Sequence, residues 1–553
     1  MPYTSRWPDL SIPKTNLLSY LFPSTANLSD KPLWTNATDA TDSLSPAQLL
    51  DYIRRFAVGL DKLGVARQEA VLVFSPNQIH MITVYLATAG SCRCFTGANP
   101  SFTIDEVAYQ MKVVSPAVVL VHPSLLETGL AAAEKAGIRS DRVYAFGETT
   151  RMDTARVKNW LSILASSAEA KSWKWDPLEG DASTKTIAVI NFSSGSTGVP
   201  KGVCITHRNL IANATQALFA KGQGPQLPDV PGGQRSLAFL PLYHAYSQLY
   251  TINIALKQGD PVFVLTSFSL ETFLSSIQKH KITRIDLVPP VIVMLAKRPE
   301  VAQYDISSLR HLGCGGAPLY SDLQNEVMER HPQIVITQGW GMTETTCAGI
   351  MYEGITRDST GSIGGLMANT QARLVDEDGR DAPEGVPGEL WLKGPQIMMG
   401  YWKNEQATRD TFADGWLKTG DIAVTRNGKW WIVDRKKELI KVNGLQVAPA
   451  ELEAVLLESD LVMDAAVTGI TLHREEKPRA YVVLYDSAKA STDAKAIQDF
   501  VAGKVAKHKK LTGGVMFVDV IPKLASGKII RKVMKEWAKR DAKDLEHSHT
   551  ARL

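Results

Sequence analysis

The sequence predicts an α/β fold with a largely parallel sheet, followed by a smaller α+β domain. Before Gln371, short apolar runs alternate with stretches of helical spacing, which is typical of parallel strands joined by helices. From about Gln371 the pattern changes to short strands separated by glycine-rich turns, as in hairpins. A chain of 553 residues also exceeds one hydrophobic core, so we expect at least two domains.

The elements of the first part follow in chain order. Ser45 is typical of a helix N-cap, and Pro46 is typical of a first helical turn. Apolar residues then recur at helical spacing until Gly64 ends the helix. Buried strands are predicted at short apolar runs: EAVLVF (69–74), AVVLVH (117–122), TIAVINF (186–192), PVFVLT (261–266) and IDLVPP (285–290).

A charged run divides the second part. Two glycine turns before the run predict hairpins, at Asp378-Gly379 and Asn427-Gly428. After the run DRKKE (434–438), the sequence predicts a helix from about Ala448, paired strands near 465–485 and a basic helical tail. We therefore predict an N-terminal domain of residues 1–434 and a C-terminal domain of residues 435–553.

Composition and charge exclude several classes of protein. Apolar residues make up 44% of the chain and charged residues 21%, which is ordinary for a globular protein. The net charge of +4 is close to neutral for this length and argues against a nucleic-acid partner. No apolar run approaches the roughly 18 residues of a transmembrane helix, so we expect no membrane insertion. The cysteine spacing is unlike that of zinc sites, and we expect no structural metal.

The strand TIAVINF runs directly into the sequence SSGSTGVPKG, Ser193 to Gly202. Three glycines, four hydroxyl side chains and one lysine stand within these ten residues. Such a loop can surround a phosphate with backbone N–H groups and side-chain donors. The Walker loop needs glycine before lysine, whereas here Lys201 precedes Gly202. The segment therefore predicts a phosphate site of a different class from that of P-loop kinases and GTPases.

This segment resembles the signature of the adenylate-forming superfamily, which includes acyl-CoA synthetases, 4-coumarate–CoA ligases, insect luciferases and peptide-synthetase adenylation domains. The usual form is SSGTTGLPKG, and this chain departs from it at Ser196 and Val199. Further motifs stand in the family's order: PLYHAY (241–246), GCGGAPL (313–319), QGWGMTE (338–344), GELWLKG (388–394), TGD (419–421), DRKKELIKVNGLQVAPAELE (434–453) and PKLASGK (522–528). The resemblance covers essentially the whole chain.

The resemblance implies a large multi-subdomain N-terminal adenylation domain and a small mobile α+β lid domain, with a hinge near Lys437. It implies an AMP-forming acyl-CoA ligase that uses ATP, Mg²⁺ and coenzyme A. A carboxylic acid and ATP would form an acyl-adenylate and pyrophosphate, and the acyl group would then pass to coenzyme A with release of AMP. The acid is expected to be an aromatic or a medium-chain acid.

The resemblance also implies the contacts with the nucleotide. Glu344 matches the Mg²⁺ ligand, since a hard cation on a triphosphate prefers a carboxylate oxygen. Trp340 matches the aromatic plane expected against adenine, and Asp421 and Arg435 match the ribose contacts. The full set of expected ATP and AMP contacts is Ser193, Ser194, Gly195, Ser196, Thr197, Gly198, Lys201, Gln338, Gly339, Trp340, Thr343, Asp421, Arg435, Lys437, Lys441 and Lys528.

Different residues match the two half-reactions. Lys528 matches the lysine that bridges the acid and the α-phosphate during adenylation, where a cation would act on developing negative charge. Lys441 and Gln446 match catalytic residues of the thioester-forming step. The expected coenzyme A contacts are Lys257, Asn443 and Gly444. At position 443 related ligases usually have a lysine.

The acid pocket is expected around the catalytic residue His244, which the family places at the acyl group. The other expected pocket residues are Tyr246, Gly316, Gly339, Cys347 and Ala348. Compared with plant coumarate ligases, Gly313 replaces a lysine, and Cys347-Ala348 replaces a bulkier Pro-Val pair. Because these changes remove a polar partner and add room, we expect a hydrophobic or weakly polar acid to be preferred over p-coumarate.

Three alternatives stay open. Two of them are enzymes: a free-standing adenylation enzyme that loads a carrier protein, and a luciferase-like enzyme. The third is a nucleotide-binding pseudoenzyme. The intact set of expected functional residues argues against it: Lys201, Glu344, Asp421, Arg435, Lys441 and Lys528. The residues Ala551-Arg552-Leu553 resemble the Ser-Lys-Leu address, so we expect the peroxisomal import receptor as a partner and a peroxisomal location, with the cytoplasm as the alternative.

Overall fold

The computed structural model describes residues 2–147, 157–193, 200–230, 233–319, 321–442, 445–472, 475–489, 492–524 and 528–550, without the side chains of 546–550. The strands are β1 Tyr3–Thr4, β2 Trp34–Asn36, β3 Ser43–Leu44, β4 Ala70–Phe74, β5 Cys94–Ala98, β6 Val118–Val121, β7 Val143–Ala145, β8 Lys158–Asn159, β9 Ile187–Ser193, β10 Lys201–Thr206, β11 Ser236–Ala238, β12 Val262–Val264, β13 Arg284–Leu287, β14 His311–Cys314, β15 Val335–Trp340, β16 Ile350–Met351, β17 Gly365–Leu366, β18 Gln371–Val375, β19 Gly388–Lys393, β20 Gly400–Tyr401, β21 Phe412–Ala413, β22 Trp416–Arg426, β23 Lys429–Arg435, β24 Ile440–Val442, β25 Leu445–Val447, β26 Val462–Leu472, β27 Glu475–Leu484 and β28 Val515–Phe517.

The α-helices are α1 Leu17–Leu21, α2 Pro46–Lys62, α3 His80–Gly90, α4 Ile104–Val114, α5 Leu126–Lys135, α6 Ser167–Ala170, α7 Ala182–Lys185, α8 His207–Gly222, α9 Ala245–Ser247, α10 Ala255–Gln258, α11 Leu270–His280, α12 Pro289–Lys297, α13 Ser321–Arg330, α14 Glu405–Thr411, α15 Pro449–Leu457, α16 Ala494–Ala502 and α17 Arg531–Thr550. A π-helical segment, Gln248–Ile254, joins α9 to α10. A short 3₁₀ helix, Thr343–Thr345, follows β15.

The first sheet has the strand order β20-β10-β9-β5-β4-β6-β7-β8 within the described residues. Its central strands β5, β4 and β6 are parallel, as the alternation of strands and helices predicts. The predicted strands β4 and β6 are buried along their whole length, which is typical of parallel strands covered on both faces. Among the described strands of this sheet, only the pairs β9–β10 and β10–β20 are antiparallel.

The second sheet has the order β17-β16-β15-β14-β13-β11-β12-β2-β3 within the described residues. Strands β11 to β15 pair in parallel, and the predicted strands at β12 and β13 are confirmed. The carboxyl ends of β13, β14 and β15 therefore meet at one edge, where open α/β sheets bind ligands. The motifs GCGGAPL and QGWGMTE begin on β14 and β15 and continue past this edge.

The third sheet is antiparallel and has the order β1-β18-β19-β22-β21, with β23 paired to β22. The predicted hairpin turn at Asn427-Gly428 joins β22 to β23, with φ of 51° at Asn427 and 74° at Gly428. Positive φ at both central residues is typical of a type I′ turn. The hairpin places Asp421 opposite Arg435, so two predicted nucleotide contacts are adjacent because of strand register.

A smaller α+β part follows β23. Strands β26, β27 and β28 form one sheet and β24 and β25 form a hairpin, and α15 begins directly after Ala448 as predicted. Lys523 and Ile529 pair in an isolated antiparallel bridge. The boundary at residues 434 and 435 stays a prediction.

The predicted first helix is confirmed as α2. The Ser45 hydroxyl accepts a hydrogen bond from the Gln48 N–H (3.1 Å), and the Gln48 side chain accepts one from the Ser45 N–H (2.9 Å). This reciprocal capping box satisfies two N–H groups at the helix start. Near the other end of α2, a Cβ added at Gly59 would lie 1.8 Å from the carbonyl oxygen of Ile163.

We expect Gly59→Ala to lower the thermal midpoint of unfolding. The added methyl group would displace backbone, and overpacking of this kind costs about 1–3 kcal/mol. The matched control is Gly222→Ala at the end of α8, where an added Cβ meets nothing described within 4 Å. Circular dichroism melts of the two variants check this. Equal midpoints for both variants would contradict the close approach at Gly59.

Candidate active site

The glycine–serine loop connects two antiparallel strands. Register places Ser193, the last residue of β9, opposite Lys201, the first residue of β10. Residues 194–199, which include the predicted contacts Ser194 to Gly198, lie outside the described residues. Lys201 Nζ lies 5.0 Å from the ring centroid of Tyr401, so the lysine lies beside an aromatic ring of the neighbouring strand β20.

Glu344 is a buried carboxylate at the base of this loop, with 3% of its surface exposed. Its Oε1 accepts hydrogen bonds from Ser193 Oγ (2.7 Å) and from the Tyr401 hydroxyl (2.9 Å). Burial, followed by the charge of Glu344, raises the pKa of Tyr401, which keeps the phenol a hydrogen-bond donor. The loop and the QGWGMTE motif are thus joined through one carboxylate oxygen.

Asp421 forms a second acidic position, with 14% of its side chain exposed. Trp340 Nε1 donates a hydrogen bond to its Oδ2 (2.9 Å), and Arg435 Nε lies 3.6 Å from its Oδ1. Burial raises the pKa of the Asp421 carboxyl, and the guanidinium of Arg435 acts in the opposite direction. Trp340 therefore orients the carboxylate of Asp421, a contact that the sequence did not reveal. Its expected place against adenine stays a prediction.

Lys528 of the C-terminal part lies in the same cleft. A Cβ added at Gly316 would lie 4.0 Å from Lys528 Cε. Burial, followed by the charge of Arg435, lowers the pKa of Lys528 to about 8, and the charges of Asp421 and Glu344 act in the opposite direction. The fold therefore brings together a cation from PKLASGK and two carboxylates that lie 107 and 184 residues earlier in the chain.

Lys441 and Gln446 do not join this cluster. They are a cross-strand pair on the β24–β25 hairpin, and both are exposed. The Lys441 N–H donates to Glu476 Oε2 (2.9 Å), and Gln446 Nε2 donates to Glu377 Oε1 (2.8 Å). Residues 443 and 444, the predicted coenzyme A contacts between them, lie outside the described residues.

The other predicted nucleotide contacts differ in their exposure and in their hydrogen-bond partners. The Gln338 amide is buried and donates to the Leu319 carbonyl and to Gln324 Oε1, both at 2.8 Å. Thr343 begins the 3₁₀ helix that carries Glu344 and is partly exposed. Burial lowers the pKa of Lys437, whose carbonyl accepts a hydrogen bond from Lys535 Nζ (3.2 Å).

Lys257, a predicted coenzyme A contact, has a partner inside the fold. Its Nζ donates to the carbonyl of Tyr20 (3.1 Å) and lies 4.7 Å from the Tyr20 ring centroid. Burial lowers the pKa of this lysine. Its assignment to coenzyme A stays a prediction.

The predicted acid pocket lies beside Lys528. His244 caps α9 by accepting a hydrogen bond from the Tyr246 N–H (3.3 Å), and burial, followed by the charge of Lys528, lowers the pKa of His244 to about 4. The imidazole is therefore neutral at pH 7. The Tyr246 hydroxyl donates to the carbonyl of Gly313 (3.0 Å). Burial raises the pKa of the Cys347 thiol, with smaller effects from Asp286 and Lys528.

The backbone of the pocket adds two fixed positions. Ala348 exchanges hydrogen bonds with the side chain of Asn213, at 3.0 Å and 2.7 Å. A Cβ added at Gly339 would lie 3.5 Å from the carbonyl of Ile350, an ordinary van der Waals distance, so this glycine is not required by crowding.

The expectation that the change to Gly313 removes a polar partner from the pocket stays a prediction, but another polar side chain lies at this position. A Cβ added at Gly313 would lie 2.6 Å from Asp286 Oδ1, because the two residues pair across β13 and β14. The carboxylate of Asp286 therefore occupies the space that a side chain at position 313 would take. A sequence signal was available, since Arg284 and Asp286 are two charged residues in alternation on an otherwise apolar strand.

The site combines two carboxylates, a lysine from the smaller part of the chain and a glycine–serine loop. These features are typical of a two-part α/β enzyme with a site for a phosphorylated ligand. Comparison with known proteins identifies the class. Residues 24–402 match the AMP-binding enzyme family, and residues 451–528 match the AMP-binding enzyme C-terminal domain. The chain therefore belongs to the AMP-binding enzyme family.

Named relatives match almost the full chain. Phenylacetyl-CoA ligase epaB of Aspergillus niger is 35% identical over 97% of this chain and 98% of the relative. The 4-coumarate–CoA ligase of Pinus taeda is 34% identical over 96% of each chain. The crystal structure of ATP-bound MatB from Rhodopseudomonas palustris superposes with a TM-score of 0.81 at 25% identity, covering 95% of this chain and 99% of that one. The protein is an AMP-forming acyl-CoA synthetase.

Across the described ranges, no helix combines the length and apolar character needed to cross a membrane. No cluster of three or more His, Cys, Asp or Glu side chains that could hold a metal ion occurs in the part of the chain that the structure describes. Residues 551–553 lie outside the described residues, and the peroxisomal address stays a prediction.

The pKa of Lys528 predicts how adenylation depends on pH. We expect kcat/KM for pyrophosphate release to fall as pH rises through about 8, because the protonated ammonium is the form that attracts phosphate. Lys528→Arg keeps its charge at these pH values, so its profile should stay level from pH 7 to 9 whatever its absolute rate. A wild-type profile that is also level across this range would contradict a role for the ammonium charge.

Proposed function

We propose that this acyl-CoA synthetase activates an aromatic carboxylic acid, with Lys528 as the cation of the adenylation step. The observation that carries the proposal is the position of Lys528 beside Gly316, with the charges of Asp421 and Glu344 acting on it. The C-terminal part thereby supplies a cation to a cleft of the N-terminal part where both acidic nucleotide contacts lie.

In the first half-reaction, a carboxylate oxygen of the acid attacks the α-phosphorus of ATP. A new P–O bond forms, and the bond to pyrophosphate breaks. Negative charge gathers on the α-phosphate oxygens and on the leaving pyrophosphate, so a fixed ammonium nearby stabilises the transition state. Lys528 meets this requirement because the fold positions it before the substrates bind.

Asp421 and Glu344 take separate parts of the nucleotide in this proposal. Asp421, oriented by Trp340 and Arg435, accepts hydrogen bonds from the ribose hydroxyls. Glu344 would hold Mg²⁺, because this ion is usually bound by one or two protein carboxylates together with phosphates and water. The ion, when bound, neutralises charge on the triphosphate.

In the second half-reaction, the sulfur of coenzyme A attacks the acyl carbon. The thiol gives up its proton, a C–S bond forms, and the bond to AMP breaks. Lys441 and Gln446 would serve this step, but in this arrangement both are exposed on the β24–β25 hairpin, and the Gln446 side chain donates to Glu377. The C-terminal part must therefore turn between the two half-reactions, with Lys437 as the proposed hinge.

An aromatic acid is supported by the pocket and by the relatives. Tyr246 and Tyr250 pack edge to face, with ring centroids 5.2 Å apart, and aromatic rings favour this contact with a further ring. The relatives named above act on phenylacetate and 4-coumarate by their names.

A panel of acids tests this proposal. Phenylacetate, cinnamate, benzoate, hexanoate and octanoate would be compared by pyrophosphate release and by thioester formation, each with and without coenzyme A and Mg²⁺. Aromatic acids should have the highest kcat/KM, and thioester should require coenzyme A. Efficient adenylation without any coenzyme A thioester would instead favour a carrier-loading or luciferase-like enzyme.

We expect Lys528→Ala to slow acyl-adenylate formation at least a hundredfold, about 2.7 kcal/mol in the barrier, while pre-formed acyl-adenylate still reacts with coenzyme A. The matched control is Lys441→Ala, which should keep most of its adenylation rate and lose thioester formation. Single-turnover measurements of pyrophosphate and thioester separate the two steps. Adenylation by Lys528→Ala within about threefold of wild type would show that this lysine does not act in the first step.

A further inference from the structure

The far end of the acid pocket is built from charged side chains. Arg284 Nη2 donates to both oxygens of Asp286, at 3.3 Å and 3.2 Å, and the two side chains are 10% and 20% exposed. The buried Arg284 Nε makes no hydrogen bond within the described part of the chain. A buried guanidinium with an unused donor is costly unless a further acceptor reaches it.

A small cavity adjoins this ion pair. Its volume is about 20 Å³, enough for one water molecule or one hydroxyl group. Its polar walls include Arg284, Asp286, Asp260 and the tyrosines Tyr246 and Tyr250. The cavity therefore offers acceptors and donors together, on the side of the pocket where Asp286 covers Gly313.

The cavity lies at a defined position relative to the reacting carboxylate. Lys528 approaches Gly316, and Asp286 covers Gly313. The two glycines are three residues apart and the chain bends at Gly316, whose φ is 85°, so they are separated by at most about 10 Å. Consider an acid whose carboxylate lies at Lys528. A substituent at its other end reaches Asp286 when one aromatic ring and a short linker separate that substituent from the carboxylate.

We propose that this end of the pocket binds a hydroxyl group carried by the ring of the acid, with the hydroxyl donating to Asp286 and accepting from Arg284. The inference rests on the proposed function, and it makes a hydroxylated aromatic acid the substrate class. It replaces the sequence-based expectation of a weakly polar acid.

Other substituents fit this end of the pocket less well. A second carboxylate would face the carboxylate of Asp286. An ammonium group could pair with Asp286 but cannot accept a hydrogen bond from Arg284. Lys221 is a further basic residue nearby, and its pKa is lowered by burial and then by the charge of Arg284. A methyl group or a hydrogen atom leaves the donor and the acceptor without a partner. A hydroxyl group satisfies both.

Matched pairs of acids test the proposal: phenylacetate with 4-hydroxyphenylacetate, and cinnamate with p-coumarate. We expect wild-type kcat/KM for pyrophosphate release to favour the hydroxylated member of at least one pair by roughly tenfold, about 1.4 kcal/mol. The double variant Arg284→Met/Asp286→Leu removes both charges together, so no unpaired ion stays buried. Its ratio between the paired acids should fall to about one or below.

The ratio within each pair serves as the internal control for folding, because a general loss of activity lowers both members equally. The control variant is Asp181→Asn at an exposed ion pair with Lys14 (3.1 Å), which should keep the wild-type ratio. Calorimetric titration of each acid in the presence of AMP gives the same comparison for binding alone.

Two results would overturn the proposal while the proposed function stands. The first is a wild-type ratio of kcat/KM near one in both pairs of acids, which would mean that the cavity holds water. The second is an unchanged tenfold ratio in the double variant. If hexanoate and octanoate are activated and none of the four aromatic acids is, the proposed aromatic function fails, and this inference fails with it.

Discussion

The position of one cation, Lys528, is the constraint on which the rest of the site depends. Burial of an ammonium group is unfavourable unless negative charge compensates for it. Asp421 and Glu344 supply part of that compensation, yet the pKa of Lys528 is still lowered to about 8. A bound triphosphate would supply the remaining negative charge. The cleft is therefore arranged for an anion, and it is complete only when the C-terminal part lies against the N-terminal part.

The same arrangement explains why one small domain can serve two reactions. Residues that match the thioester step are on the β24–β25 hairpin, where Gln446 donates to Glu377 of the predicted N-terminal domain (2.8 Å). A second contact across the two parts joins Lys297 to the carbonyl of Leu457 at the end of α15. Both contacts are polar, so breaking them in a rotation that exchanges Lys528 for Lys441 costs little apolar packing.

Local sequence patterns predicted much of the fold, because apolar runs and turn residues act over short distances. The α2 helix, the parallel strands and the Asn427-Gly428 hairpin were all predicted in this way, and motif order placed Lys528 with the nucleotide contacts. Contacts set by strand register were not predicted. Asp286 covers Gly313 only because β13 and β14 pair in one register, which no local pattern specifies. Comparison with coumarate ligases showed that Gly313 replaces a lysine. It did not show that the carboxylate of Asp286 lies in the space beside Gly313.

We propose that this orientation of the C-terminal part supports adenylation and excludes thioester formation. Cysteines at positions 377 and 446, joined by a short bifunctional maleimide, would hold the two parts in this orientation, and a monofunctional maleimide would serve as the control. The crosslinked enzyme should release pyrophosphate and accumulate acyl-adenylate in a single turnover, with thioester formation lost. Thioester formation at the rate of the control enzyme would contradict the account.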